Sequence, residues 1–238
     1  MGRGRERNAM IAMQGFSMTT QPLLHSLPLF PLGTVLFPDG LLPLRIFEVR
    51  YLDMIGKCRK ADAPFGVVSL TSGSEVRKAG ADTESFAAIG TLAVIREFES
   101  PQSGLLQIEC VGTQRFRVRH TELQKHGLWV AEVAAVIEDV ALEIPEDLQH
   151  TATALRRLVD TLEERRRAQS AQGGQGAQTV RLPIGEPYRF NDCGWVANRW
   201  CELVPMQLEL RQRLMELDSP LMRLELVSDL LARTGISG

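Results

Sequence analysis

An apolar stretch that is broken at short intervals by proline and glycine limits most strongly what this chain can fold into. It covers residues 27–44 and reads LPLFPLGTVLFPDGLLPL. A proline has no backbone N–H to donate to a neighbouring strand, so such a stretch can form only short or edge strands joined by turns. The segment 37–40 (FPDG) predicts one of these turns, because proline presets φ and glycine accepts a positive φ. The same interruptions exclude a membrane-spanning helix here, which needs about 20 consecutive apolar residues.

The remainder of the first half is typical of short strands around a single helix. Apolar side chains spaced three and four residues apart predict that helix over residues 47–59. Runs that are rich in β-branched residues, or that alternate apolar and polar ones, predict strands at 65–70, 89–98, 105–111, 114–119 and 129–137, with a hairpin loop at 100–104. We therefore expect a small β-barrel of about six mostly antiparallel strands with one helix.

From residue 143 onward the hydrophobic spacing becomes helical. A first helix is predicted after Pro145 and ends at the arginine run 165–167, where cations suit the helix dipole. Three more helices are predicted at 192–203, at 205–217 and after Ser219, which is a suitable N-cap before Pro220. The expected α+β chain has three parts: a disordered tail (1–24), a β-barrel subdomain (25–142) and a helical bundle (143–238) with a flexible linker near 168–180.

Charge balance and missing motifs argue against several classes of function. The net charge is −2, whereas nucleic-acid-binding chains usually carry a basic excess, so nucleic acid is not an expected partner. The sequence contains no G-x-x-x-x-G-K-[ST] phosphate loop and no G-x-S-x-G motif. The cysteines and histidines show no metal-ligand spacing, so we expect neither a metal site nor a cofactor. The apolar part of the N-terminus is too short for a signal peptide, and we predict a cytoplasmic protein.

One row of cations stands out among the predicted strands. Arg115, Arg117 and Arg119 alternate with apolar residues in the segment 114–119, so a strand would direct all three side chains to one face. Such a row is either an anion-binding surface for carboxylates or phosphates, or an ordinary solvated face with weak salt bridges. The sequence leaves both interpretations open.

Several segments in a fixed order resemble a known family. They are LPLFPL (27–32), LPLRIFEVRY (42–51), IGTLAVI (89–95), ECVGTQRFRV (109–118), LVPMQL (203–208), QRLME (212–216) and RLELV (223–227). Together they are similar to the N-terminal, substrate-binding domain of Lon protease. The resemblance implies a PUA-like β-barrel followed by a helical bundle. In Lon this domain contributes to substrate recognition and hexamer assembly, and precedes ATPase and protease modules that this sequence does not contain. We therefore expect a stand-alone form that is not an enzyme.

The resemblance leads to a hypothesis about the partner. We expect a non-catalytic module that binds protein or peptide at a seam between barrel and bundle. An adaptor for unfolded or specific substrates is one form that such a module would take. The candidate contact residues for polypeptide are Phe37, Phe47, Tyr51 and Trp195. The alternative is an RNA-binding PUA-like protein that uses the arginine row, by analogy at the level of the fold. A small-molecule site in the barrel mouth is a third reading, for which the sequence supplies no catalytic groups.

Overall fold

The computed structural model describes residues 23–75, 84–172 and 182–235. Within these ranges the strands come first and most of the helices follow. The strands are β1 (Leu23–Leu32), β2 (Leu41–Ile46), β3 (Phe65–Ser72), β4 (Ser85–Phe86), β5 (Ile89–Gln102), β6 (Leu105–Leu123) and β7 (Trp129–Ala135). The α-helices are α1 (Val49–Ala61), α2 (Gln149–Gln172), α3 (Cys193–Leu203), α4 (Leu208–Glu216) and α5 (Pro220–Arg233), and a short 3-10 helix (Glu146–Leu148) precedes α2.

The strands form one mostly antiparallel sheet, with the order β1-β7-β6-β5-β3-β4 and with β2 on β6. β1 also pairs with β3 in parallel, so the path of hydrogen-bonded neighbours returns to its first strand. A parallel pair needs a long crossover between its members, and the segment containing β2 and α1 supplies it. The prediction of a mostly antiparallel sheet with one helix among the strands is confirmed at this level.

Two predicted strands and one predicted tail differ in the structure. The segments 105–111 and 114–119 belong to the single strand β6, which stays paired with β5 across register shifts. The hairpin between β5 and β6 is tighter than expected, because Gly104 adopts a φ of 78° and lets the chain turn directly after Gln102. Leu23 and Leu24 lie in β1 opposite β7 and are therefore not part of a tail. The rest of the predicted tail lies outside the described residues.

The helix ends follow the local signals in the sequence. Ser219 accepts a hydrogen bond from the Met222 amide and Pro220 opens α5, as predicted. Asp192 caps α3 in the same manner. α2 continues past the arginine run to Gln172, so residues 168–172 of the predicted linker are helical, and 173–180 lie outside the described residues.

The helices pack directly against one face of the sheet. Val35, Phe37 and Ile89 from the strand half join the buried side chains of α2, α3, α4 and α5 in one hydrophobic core. Two smaller cores lie between the strands and under α1. Across the three described ranges, no helix has the length and apolar character that crossing a membrane requires.

Candidate functional site

The turn at residues 37–40 joins the sheet to the helices. Asp39 adopts a φ of 60°, and its amide donates to the carbonyl of Gly112 on β6 at 2.8 Å. The Gly112 amide returns a bond to the carbonyl of Gly40 at 2.8 Å. From α3, the guanidinium of Arg199 donates to the carbonyl of Pro38 at 2.8 Å. The turn is thus held from both sides by hydrogen bonds.

Two glycines allow this close approach. A Cβ on Gly112 would lie 2.1 Å from the Phe37 carbonyl oxygen, and one on Gly40 would lie 2.1 Å from Oε1 of Glu202. Contacts this short are impossible for a real Cβ, so a larger residue at Gly112 would separate the turn from β6, and one at Gly40 would displace the carboxylate of Glu202. The seam on either side of the turn contains two cavities, which differ in chemistry.

The first cavity, the polar cleft, has a volume of about 320 Å³ and lies where the turn, β6 and α3 meet. Its lining is dominated by charged and polar side chains. The lining residues are Pro38, Asp39, Thr113, Gln114, Arg115, Glu138, Asp139, Arg189, Asp192, Gly194, Trp195 and Asn198. A site of this composition is suited to binding polar or charged groups rather than an aliphatic chain.

Asp139 is the centre of the ionic network at the polar cleft. Its Oδ1 accepts from Arg115 at 2.9 Å, and Arg223 of α5 donates to its other oxygen. Both guanidiniums are buried, and both also donate to backbone carbonyls of the connection between α4 and α5, at Met215 and Leu217 for Arg115. Burial lowers the pKa of Arg115, and the negative charge of Asp139 opposes that shift. The network therefore fastens the sheet to the last two helices.

The second cavity, the apolar groove, has a volume of about 360 Å³ and is bounded by the segments before and after the same turn. Aliphatic side chains and prolines form most of its lining. The lining residues are Thr34, Val35, Leu36, Leu41, Leu42, Pro43, Glu109, Leu182, Pro183, Glu202, Leu203 and Arg211. Several of the leucines are only half-buried. The groove can therefore remove apolar surface of a ligand from water.

One carboxyl group at the apolar groove has unusual protonation behaviour. Glu202 is paired with Arg199, whose Nε lies 2.8 Å from Oε2. Burial raises the pKa of Glu202 to about 7, and the attraction of Arg199 offsets only part of that effect. Glu202 therefore changes charge near neutral pH, directly beside Gly40.

The predicted polypeptide-contacting residues are dispersed. Phe37 is fully buried in the core shared by sheet and helices. Tyr51 is buried against Phe30, with ring centroids 3.9 Å apart, and burial raises the pKa of its hydroxyl. Neither side chain is accessible to a ligand, because both complete hydrophobic cores. Phe47 is 58% exposed, outside both cavities. Trp195 is buried but lines the polar cleft.

The three arginines of the predicted row differ in their exposure to solvent. Arg117 and Arg119 are exposed, as an outer strand face requires, whereas Arg115 is only 4% exposed. All three were expected on one open face. The expectation is wrong for Arg115, because the connection between α4 and α5 covers this end of β6 and accepts its hydrogen bonds.

Sequence reasoning missed Asp139, Arg199, Glu202 and Arg223. A weak signal existed for the two arginines. Arg223 lies four residues before Val227, and Arg199 four residues after Trp195, so each lies on the buried face of its helix. A cation on a buried helical face predicts an ionic partner in the core. Asp139 carried no comparable signal, since it stands in an irregular segment between the last strand and the helices.

Known proteins resemble this chain over most of its length. A Lon N-terminal domain protein from Xanthomonas campestris is 30% identical, covers 88% of this chain and 98% of its own, and has a TM-score of 0.63. The N-terminal domain of Mycobacterium avium complex Lon protease shares the fold, with 14% identity, a TM-score of 0.51 and coverage of 86% and 96%. Protein cereblon from Danio rerio is 28% identical over 135 residues, which is 55% of this chain but only 30% of that protein.

A family model agrees with these similarities and with the resemblance seen in the sequence. The model of the ATP-dependent protease La (LON) substrate-binding domain matches residues 26–233. This range includes all the described strands and helices except the first three residues of β1. The chain therefore belongs to the LON substrate-binding domain family.

Proposed function

We propose that this protein is a non-catalytic polypeptide-binding module whose apolar groove takes up an apolar stretch of a partly or wholly unfolded protein. The observation that carries the proposal is the groove itself, a cavity of about 360 Å³ with a mainly aliphatic lining in a chain of a substrate-binding family. Burial of one leucine-sized side chain contributes about 1.5–3 kcal/mol, so a few such side chains provide useful affinity.

The surroundings of the groove favour an extended segment over a compact ligand. Leu41, Leu42 and Pro43 follow one another along β2, and Leu182 and Pro183 contribute a second short run of chain. Two apolar runs of chain that line one groove suit a strand-like peptide with alternating apolar side chains. Arg211 and Glu202 at the helical wall can contact its polar backbone groups.

The finer expectations from the sequence are part of this proposal. We propose that the ring of strand pairings through β1, β7, β6, β5 and β3 is a PUA-like barrel. We also propose that the protein acts as an adaptor in the cytoplasm, delivering bound polypeptide to another component. RNA binding has less support, because Arg115 is engaged by Asp139 and only Arg117 and Arg119 remain exposed from the row.

The test is a titration of the protein with a fluorescently labelled, permanently unfolded polypeptide, with its native form as the control, at low and moderate salt. We expect binding of the unfolded form alone, with little dependence on salt. Leu41→Asp and Leu182→Asp, at half-buried positions in the groove, should each weaken binding at least tenfold. Leu226→Asp is the matched control, because Leu226 is 43% exposed on α5 and lies outside the groove.

Equal binding by Leu41→Asp, Leu182→Asp and Leu226→Asp would show that the groove is not the site. Binding to neither form of the polypeptide would contradict general recognition of unfolded chains. Steep loss of binding with salt would instead indicate an ionic contact and revive the exposed arginines of β6.

A further inference from the structure

We propose that the polar cleft binds a primary ammonium group of a polypeptide, an α-amino terminus or a lysine side chain, together with a peptide carbonyl. The inference rests on the proposed function and extends it, since it names the chemical group that a bound polypeptide would present beside the apolar groove. It depends on two donor groups without a protein partner and two carboxylates with free oxygens, all on residues that line the same cavity.

The first unpaired donor is the side-chain amide of Asn198. Its oxygen accepts from Nη1 of Arg223 at 2.9 Å, and because a guanidinium can only donate, the amide orientation is fixed. The NH₂ group then has no partner within residues 23–75, 84–172 and 182–235. Asn198 is 4% exposed and lines the polar cleft, and its nitrogen is not among the buried polar atoms sealed off from solvent. The NH₂ group is therefore free to donate to a ligand oxygen in the polar cleft.

The second donor lies one helical turn earlier. Trp195 is 2% exposed and lines the same cleft. Its indole N–H has no hydrogen-bond partner in the described part of the chain. Positions three apart on a helix share a face, so Trp195 and Asn198 lie on the same face of α3. A ligand oxygen would replace water as the acceptor of these two donors.

The acceptors of the cleft are carboxylates. Asp39 and Asp139 already have arginine partners, Arg189 for Asp39, and Arg115 and Arg223 for Asp139. Glu138 has no ion-pair partner among the residues that the structure describes. Asp192 uses Oδ1 alone to cap α3, through Gly194 and Trp195. Glu138 and the second oxygen of Asp192 therefore remain available to a cation.

An ammonium group next to a carbonyl satisfies both sets of groups. The ammonium has three donors and no acceptor, so it matches Glu138 and Asp192, whereas the carbonyl oxygen matches Asn198 and Trp195. An anionic ligand does not fit, since its charge would meet four carboxylates and only two guanidiniums of the lining. Ile137 and Val140, each 76% exposed on the segment that carries Glu138, offer apolar contact to the next residue of the peptide.

The experiment uses the full chain and three peptides of one apolar sequence, each with a fluorophore at its C-terminus. The first has a free α-amino group and no lysine, the second is acetylated and has no lysine, and the third is acetylated and has one lysine. Affinities are measured by fluorescence anisotropy at pH 6.5, where both amines are protonated. We expect at least one of the two ammonium peptides to bind five-fold or more tightly than the acetylated, lysine-free peptide.

Three substitutions assign this advantage to the cleft. Trp195→Phe keeps the ring and removes the indole N–H, Asp192→Asn keeps an N-cap and removes the charge, and Glu138→Gln changes an exposed carboxylate. Asp192→Asn and Glu138→Gln should each reduce the affinity advantage of the ammonium peptides at least threefold, and Trp195→Phe should weaken binding of the ammonium peptides at least threefold. Glu225→Gln on the exposed face of α5 is the control. Circular dichroism and thermal unfolding verify that every variant is folded.

The pH dependence distinguishes the two sources of the ammonium. An α-amino group loses its proton near pH 8 and a lysine near pH 10, at about the values of free peptides. The advantage should therefore vanish at pH 9 for an N-terminal ligand and persist there for a lysine.

Equal affinity for all three peptides overturns the inference while the proposed function stands. The ammonium peptides could still bind more tightly than the acetylated, lysine-free peptide while Leu41→Asp binds every peptide as well as the unaltered chain. In that case the proposal for the apolar groove fails and the proposal for the polar cleft stands.

Discussion

The polar cleft and the apolar groove lie on either side of one turn, yet they are held together by different forces. In the cleft, buried guanidiniums meet a carboxylate and backbone carbonyls at fixed distances, and each bond requires its partner. In the groove, half-buried leucines and exposed prolines form most of the lining, and apolar side chains of this kind make no directional bonds. Removing one member of a buried ionic network strongly destabilises the protein, whereas substitution of one apolar residue by another of similar size costs little. The comparison therefore assigns stability mainly to the cleft and adaptable binding mainly to the groove.

The strongest test of this difference removes Arg223. Its guanidinium donates to Asp139, Asn198 and the carbonyl of Leu214. Arg223→Ala leaves these buried acceptors short of a donor and should lower the free energy of unfolding by about 3–5 kcal/mol. Urea denaturation followed by circular dichroism measures the loss. Arg213→Ala, on the exposed face of α4, should change it by less than about 0.5 kcal/mol. A similar small change for Arg223→Ala would mean that the network contributes little.

A smaller loss is expected where the turn approaches β6. Gly112→Ala places a Cβ against the Phe37 carbonyl oxygen, a backbone atom that cannot swing away, and should cost about 1–3 kcal/mol. Gly56→Ala in α1 is the matched substitution, since its Cβ would have nothing within 4 Å, and it should be neutral or stabilising by up to about 1 kcal/mol. Thermal unfolding of the two variants gives the comparison, and equal melting temperatures would contradict the tight contact.

Glu202 should make stability depend on pH. Its folded-state pKa is about 7 and the ordinary value is 4.5. Between these values the folded chain keeps a proton that the unfolded chain releases, so stability should fall as pH rises from about 4.5 to 7. Glu202→Gln should flatten that part of the profile, whereas Glu209→Gln, exposed on α4, should leave it unchanged. Denaturant unfolding at several pH values gives both profiles. Identical slopes in the two variants would show that Glu202 is charged throughout the range.

The smallest effect on stability is expected in the groove. Leu41→Asp changes a half-buried side chain whose removal leaves no unpaired polar group. It should lower the free energy of unfolding by about 1 kcal/mol or less, although it should abolish most peptide binding. Urea denaturation measures the first quantity and the peptide titration the second. A loss as large as that of Arg223→Ala would remove the distinction between the two cavities.

Features that depend on neighbouring residues could be predicted from the sequence. The FPDG turn, the helix predicted at 47–59 and the Ser219–Pro220 start of α5 depend on local sequence, and the structure has all three, with the helix at Val49–Ala61. The family was also recognisable from ordered apolar segments, and the match over residues 26–233 confirms it.

Features that depend on residues far apart in the sequence could not be predicted from it. Strand alternation correctly set Arg117 and Arg119 on an exposed face, but only the path of the α4–α5 connection decides that Arg115 is covered. Phe37 in a polar turn could equally face solvent or core, because periodicity gives no information inside a turn. Asp139 lies in an irregular segment, so its meeting with Arg223, 84 residues away, has no local signature.

Hydrogen bonds between residues far apart in the sequence, at the turn at 37–40 and at the polar cleft, also constrain how the chain reaches its native state. Arg199 reaches Pro38 across 161 residues, and Arg115 reaches Met215 across 100. Contacts of such sequence separation form late and make folding slow, because the intervening loop must be ordered first. The strand-rich and helix-rich halves are therefore expected to melt in a single cooperative transition. A fragment that ends after β7 would lack the helical half of its own core and should not behave as an independent folding unit.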